Sequence, residues 1–167
     1  MISLLVFSSQ NNLKLAKEIK TEVESHNLPC ELINIVDLKL PLYDTELEKN
    51  GIPQPAHDLA QKLSKSKGLI FVAPEYNGSV PPTFNNALAW ISRTNKDWRI
   101  CFNEKPAMIA TMSGGGGHHV LMAMRHQLSF IGVNVLGRSV LGTSFKPANP
   151  ESVKACINQL IKHSHLS

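Results

Sequence analysis

At 167 residues, with 43% hydrophobic, 18% charged and 6% aromatic side chains, the chain has the size of one domain, at ~100–200 residues per domain, and enough length to bury a core without disulfides or a structural metal. Its 17 Lys+Arg against 13 Asp+Glu leave a formal charge of +4, too small and too scattered for a nucleic-acid-binding stripe. No apolar run approaches the ~20 residues of a membrane-crossing helix.

Ile2–Phe7 is apolar almost throughout, as a strand buried on both faces would be. It ends in the polar turn Ser8-Ser9-Gln10-Asn11-Asn12, and Leu13, Ala16, Ile19 and Val23 then recur at helical spacing until Asn27 and Pro29. Cys30–Val36 reads as a second strand. The segment 37–55, with Pro41, Asn50-Gly51, Pro53 and Pro55, lacks periodicity and is expected to be a surface or partner-contacting loop. Leu59, Ala60 and Leu63 give 57–65 a short helical face, closed by Gly68.

Leu69–Ala73 is the third strand and runs into Pro74-Glu75-Tyr76-Asn77-Gly78-Ser79; Pro81 and Pro82 suit the first turn of a helix carrying Phe84, Leu88 and Ile91. Residues 94–105 are polar and irregular, with Trp98 and Phe102 expected to fold back onto the body. Ala107–Met112 is the fourth strand, followed at once by Ser113-Gly114-Gly115-Gly116-Gly117 and a helix from His118 to Ile131. Val133–Leu136 is the fifth strand, and Pro150–His163 the last helix.

Strands alternating with helices, each strand nearly continuously apolar, specify a parallel sheet covered on both faces. With right-handed crossovers, the simplest arrangement is a flavodoxin-like three-layer α/β sandwich, a five-stranded parallel sheet of order 2-1-3-4-5 forming a single domain over 1–167. Ligands in such sheets sit outside the carboxyl ends of the strands, where the strand order reverses. The loops after strands one, three and four therefore share one edge. Ser8–Asn12 opens a helix, whose free amides and partial positive charge suit a phosphate, although Ser and Asn are also common capping residues. Four consecutive glycines exceed what a turn needs; they expose main chain to a flat ligand. Neither a G-x-G-x-x-G dinucleotide loop nor a P-loop lysine is present. In the third-strand loop, Asn77-Gly78 can take positive φ between stiffening prolines.

The segment Pro74-Glu75-Tyr76-Asn77-Gly78-Ser79 resembles the PEYN-G-S motif of the NAD(P)H-dependent FMN reductase family, a flavodoxin-like group of quinone, azo-dye and chromate reductases. Asn86, Ala87, Trp90, Ser92 and Arg93 match its K-N-A-x-D-W-x-S-R helix, and Lys105-Pro106, the Ser-Gly-rich loop and Gly132-Val133 also fall where the family has them. The resemblance implies FMN at the switch-point crevice: phosphate on Ser8, Ser9, Gln10, Asn11 and Asn12, isoalloxazine against Pro74, Glu75, Tyr76, Asn77 and Gly78, and its pyrimidine side near Ser113, Gly114, Gly115 and Gly116. It also implies NADPH or NADH as reductant, a small-molecule acceptor such as a flavin or quinone, and a homodimer or homotetramer, with the 37–55 loop and the 82–91 helix as candidate contacts. The cofactor carries the hydride, so no catalytic side chain is required. The family's first loop usually carries an arginine that Ser9-Gln10-Asn11-Asn12 lacks; one charge-assisted bond is worth ~1.5–3 kcal/mol, to be replaced by Lys14 or loop amides. A flavodoxin-type electron carrier and a non-catalytic binding protein on the same fold are the alternatives.

His118 and His119 read as a solvated helix start, and no metal set is expected. Cys30, Cys101 and Cys156 are odd in number and widely spaced, which argues against a disulfide framework and for core residues in a reducing compartment. Without a basic and apolar leader at the start, the expected location is the cytoplasm.

Overall fold

A computed structural model describes residues 1–166. Its sheet forms because the apolar runs are short and bounded by polar turns, with the central runs Ile2–Val6 and Gly68–Val72 buried from end to end. Strands β1 (Ile2–Val6), β3 (Gly68–Val72) and β4 (Pro106–Ser113) make its centre, with β2 (Cys30–Asn34) outside β1. All pairings are parallel, and Leu4 lies opposite Leu32 on one side and Ile70 on the other, with Ile70 in turn opposite Met108. The order β2-β1-β3-β4-β5 is the one expected from sequence.

Alternation along the strands divides the core in two. Leu5, Phe71 and Ile109 face α3 (Gln54–Lys65), α4 (Pro82–Ile91) and α5 (His118–Phe130). Leu4, Ile70 and Met108 face α1 (Asn11–Ser25) and α6 (Pro150–His163). Each fully buried side chain of this kind contributes ~1.5–3 kcal/mol of transfer free energy.

Local chemistry moves several boundaries from where periodicity puts them. The second strand stops at Asn34 rather than Val36, because the Asn34 side chain accepts a hydrogen bond from the Val36 amide and turns Ile35–Leu38 into a 3-10 turn. Helix α3 starts at Gln54, since Pro55 fits a first helical turn. The 37–55 segment contains one more short helix, α2 (Thr45–Glu48), capped by the Asp44 carboxylate. Phe102 is fully buried and stacks edge-on with Trp98, so 94–105 does fold back.

The fifth strand is divided. Strand β5 is only Asn134–Val135, paired with Pro106 and Ala107 at the start of β4; β6 (Val140–Thr143) pairs with Ala110–Ser113 at its end. The guanidinium of Arg125 donates to the Val135 and Gly137 carbonyls, both at 3.3 Å, across this edge.

Candidate functional site: a crevice at the carboxyl edge of the sheet

Four lateral hydrogen bonds tie neighbouring elements together at the carboxyl edge. Thr83 in the first turn of α4 donates its hydroxyl to the Phe7 carbonyl at 3.0 Å, and Thr111 of β4 donates to the Ala73 carbonyl at 2.7 Å. Asn12 donates to the Met112 carbonyl and accepts from the Met112 amide, both at 2.8 Å, across 100 residues of sequence. Asn12 is buried, and both ends of its amide are engaged by this bracket.

Between these ties lies a crevice of about 520 Å³ walled by Ser8, Ser9, Gln10, Asn11, Asn12, Pro74 and Tyr76 together with Phe7, Val36, Pro81, Pro82, Thr83 and Met112, within the ~300–1,000 Å³ usual for small-molecule sites. No lining side chain is charged. Its positive character comes from main chain: α1 begins at Asn11 with no side-chain cap on its first turn and no acidic residue there, which leaves amide donors and the positive end of the helix dipole facing the opening. Ordinary capping therefore does not account for the Ser and Asn side chains of this loop. Lys14 is exposed one turn further on.

The second wall is a closed hairpin. The Tyr76 amide donates to the Ser79 carbonyl at 2.9 Å and the Ser79 amide to the Tyr76 carbonyl at 3.0 Å. Asn77 and Gly78 between them have φ of 50° and 71°, the positive pair that a two-residue primed turn demands. This turn leaves Tyr76 52% exposed, a flat amphipathic face at the mouth of the crevice. Glu75 points elsewhere: its carboxylate accepts from the Val120 amide at 3.2 Å and so caps α5.

The glycine loop is a shelf beside the crevice rather than part of its wall. Glu75, Asn77, Gly78, Ser113, Gly114, Gly115 and Gly116 are not among the lining residues, and the wall on this side is Met112. Gly117 is dictated by the fold: its φ is +71°, and a Cβ there would meet Leu141 at 2.5 Å. Gly114 and Gly116 have nothing nearer than 3.8 Å to a would-be Cβ, and Gly115 nothing within 4 Å. The fold does not need these three glycines, so the space above them is open to a ligand. A planar ring with a phosphorylated tail fits this donor set: uncapped amides and hydroxyls for the phosphate, an aromatic face and open main chain for the ring.

A fourth loop on this edge escaped the sequence reading. The turn after β6 joins the glycine loop through the Ser144 amide, which donates to the Ser113 carbonyl at 3.0 Å. Its signal was weak because β6 carries Gly142 and follows an irregular 136–139 stretch. The histidines 118 and 119 are exposed at the start of α5. Among the described residues no group of three or more His, Cys, Asp or Glu is placed to share a metal ion. The three cysteines are buried and free. Burial pushes the Cys30 and Cys101 thiols up to about 11, and the Cys156 thiol upward as well, which keeps them protonated and inert as nucleophiles.

A family model described as NADPH-dependent FMN reductase matches residues 4–147. The chain belongs to this family. Membership makes it one of the NAD(P)H-dependent flavin oxidoreductases and accounts for the switch-point crevice. Among curated relatives, an uncharacterized protein of Mycoplasma pneumoniae is 34% identical over 155 residues, 86% of this chain and 90% of that one. A quinone reductase of Escherichia coli is 33% identical over 74% of this chain and 63% of its own length, and an NADPH:quinone oxidoreductase of Arabidopsis thaliana is 36% identical over 58% and 48%. Of solved structures, the Paracoccus denitrificans flavoenzyme FerB, an NAD(P)H:(acceptor) oxidoreductase, superposes with a TM-score of 0.75 at 19% identity, covering 98% of this chain and 94% of its own; it shares the fold. An azoreductase of Bacillus anthracis superposes at 0.65 with 14% identity, covering 99% and 98%.

Proposed function

We propose that this chain binds FMN in the crevice and reduces small acceptors such as quinones or flavins at the expense of a reduced nicotinamide. The observation that carries the reading is the uncapped start of α1 opening on the same crevice as the Tyr76 face, in a chain of the FMN reductase family. FMN, when bound there, would supply the two-electron redox chemistry.

The protein's own residues bind and orient. Ser8, Ser9, Gln10 and Asn11, with the α1 amides, take the phosphate without an arginine, because several neutral donors and the helix dipole together replace one charge-assisted pair. Asn12 acts at one remove, fixing this loop to Met112. Pro74 and Tyr76 flank the ring; Glu75, Asn77 and Gly78 hold that wall in shape through the α5 cap and the hairpin. Amides of Ser113–Gly116 are available to ring carbonyls and nitrogens. We further propose that copies associate, through the 37–55 segment and α4 and through an apolar depression lined by Leu88, His126, Phe130 and Ile131, and that the chain works in the cytoplasm, where free cysteines stay reduced.

The test is direct. Purified protein should bind FMN, with flavin absorbance, and oxidise NADPH or NADH when menadione is added. At a hundred times its Kd, FMN should raise stability by ~2.7 kcal/mol. Bound flavin without nicotinamide oxidation would indicate an electron carrier instead, and no binding would remove the reading altogether.

A further inference from the structure

Phe145 is 91% exposed, the largest exposure among the large hydrophobic side chains of the described residues. Its turn does not let it fold inward. The Thr143 hydroxyl accepts from the amides of Phe145 at 3.3 Å and Lys146 at 3.0 Å, and the Thr143 amide donates to the Lys146 carbonyl at 2.7 Å. This closed loop presents the Phe145 ring and the Lys146 ammonium outward together. It is fastened to the glycine shelf by the Ser144–Ser113 hydrogen bond, with the Ser144 hydroxyl 3.9 Å from where a Gly114 Cβ would stand. The Phe145 turn therefore stands next to the glycine loop, one hydrogen bond from Ser113, the residue that follows Met112 of the crevice wall. Lys146 makes no ion pair among the described residues.

We propose that Phe145 and Lys146 dock the adenylate half of the reduced nicotinamide dinucleotide, Phe145 stacking on the adenine and Lys146 pairing with the pyrophosphate. This rests on the reading that hydride arrives from such a dinucleotide. A nicotinamide ring reaching the crevice leaves the other half of the molecule outside it, and that half carries a flat base and negative charge. An aromatic face and an ammonium with no ion pair among the described residues, exposed on one turn beside the shelf, match those two features. A small quinone or flavin acceptor needs to reach only the ring, and a quinone carries no phosphate for Lys146.

Two measurements test the docking separately from the flavin. In Phe145→Trp, titration with ADP-ribose, which has the adenylate half and no nicotinamide, should quench the added indole fluorescence relative to wild type; this needs neither hydride transfer nor a competent acceptor. In the FMN-loaded protein, Phe145→Ala should raise KM for the dinucleotide about tenfold, as expected when one base–aromatic stack is lost, with kcat little changed. Phe145→Tyr should keep the wild-type KM, and Lys146→Ala should raise KM and flatten its dependence on salt. A flat fluorescence titration to millimolar ADP-ribose, or an unaltered KM in Phe145→Ala, overturns the proposal. Failure to bind FMN would count against the proposed function alone, since the fluorescence titration still reports on Phe145.

Discussion

Two glycines of the same loop separate structural need from availability to a ligand. Gly117→Ala places a methyl group 2.5 Å from Leu141 at a φ of +71°, and should lower stability by ~1–3 kcal/mol, as strained non-glycine backbone does; a denaturant titration reads this directly. Gly115→Ala meets nothing within 4 Å, so the same titration should be unmoved while FMN affinity falls. Equal stability loss in both variants would show that the open shelf is an illusion of the folded geometry. At the opposite wall, Tyr76→Ala removes a half-exposed ring and should weaken FMN by about 1 kcal/mol, the scale of one aromatic contact, without changing the melting temperature. Asn12 behaves differently from its neighbours: Asn12→Ala strands the Met112 amide and carbonyl and should destabilise the fold by ~2–3 kcal/mol in the absence of any ligand.

The Asn86, Trp90 and Arg93 positions of α4 and its end form a stripe that grips the 40–48 segment. Asn86 accepts from the Tyr43 amide at 2.7 Å and donates to the Pro41 carbonyl at 2.9 Å, which also accepts from the Trp90 indole at 2.8 Å; Arg93 donates to the Tyr43 hydroxyl at 3.1 Å. Asn86→Ala should therefore speed hydrogen exchange and proteolysis within 37–55 selectively, because those loop groups lose their partner; uniform change across the chain would argue against the clasp. Helix α4 itself was legible from Pro82, Phe84 and Ile91, and the PEYN hairpin from Asn77-Gly78, because those signals are local. Pairings over long sequence distances were not. Nothing near Asn12 announces that its amide is committed to Met112, and nothing near Asn86 announces Tyr43, so residues that hold loops in place look the same in sequence as residues that hold ligands. Strand β6 was missed for a related reason: its four residues include Gly142 and become a strand through pairing with β4, as tertiary context outweighs propensity.

At the level of the whole molecule, the buried thiols give stability an alkaline limit. Cys30 in the folded chain keeps its proton to about 11 against an ordinary 9.0, chiefly through burial, with Lys20 opposing and Glu24 assisting. Between those values the unfolded thiol has released a proton that the native one retains, so stability is full below pH 9 and is lost as pH rises toward 11. The contribution is on the order of 2 kcal/mol, and Cys30→Ala should flatten the decline of the denaturation midpoint over that range. Association is tested on the α5 face, where Met122 and Phe130 stand exposed: Phe130→Glu should shift the protein toward monomer in light scattering. Strand order and layer assignment were readable because five apolar runs alternating with helices admit few chain paths. The divided outer strand, with β5 and β6 separated and Arg125 occupying two of its carbonyls, offers an incoming chain no long, straight row of free amides and carbonyls. Such a margin resists recruitment of further strands, which protects the folded protein from fibre growth on that side even when it is crowded.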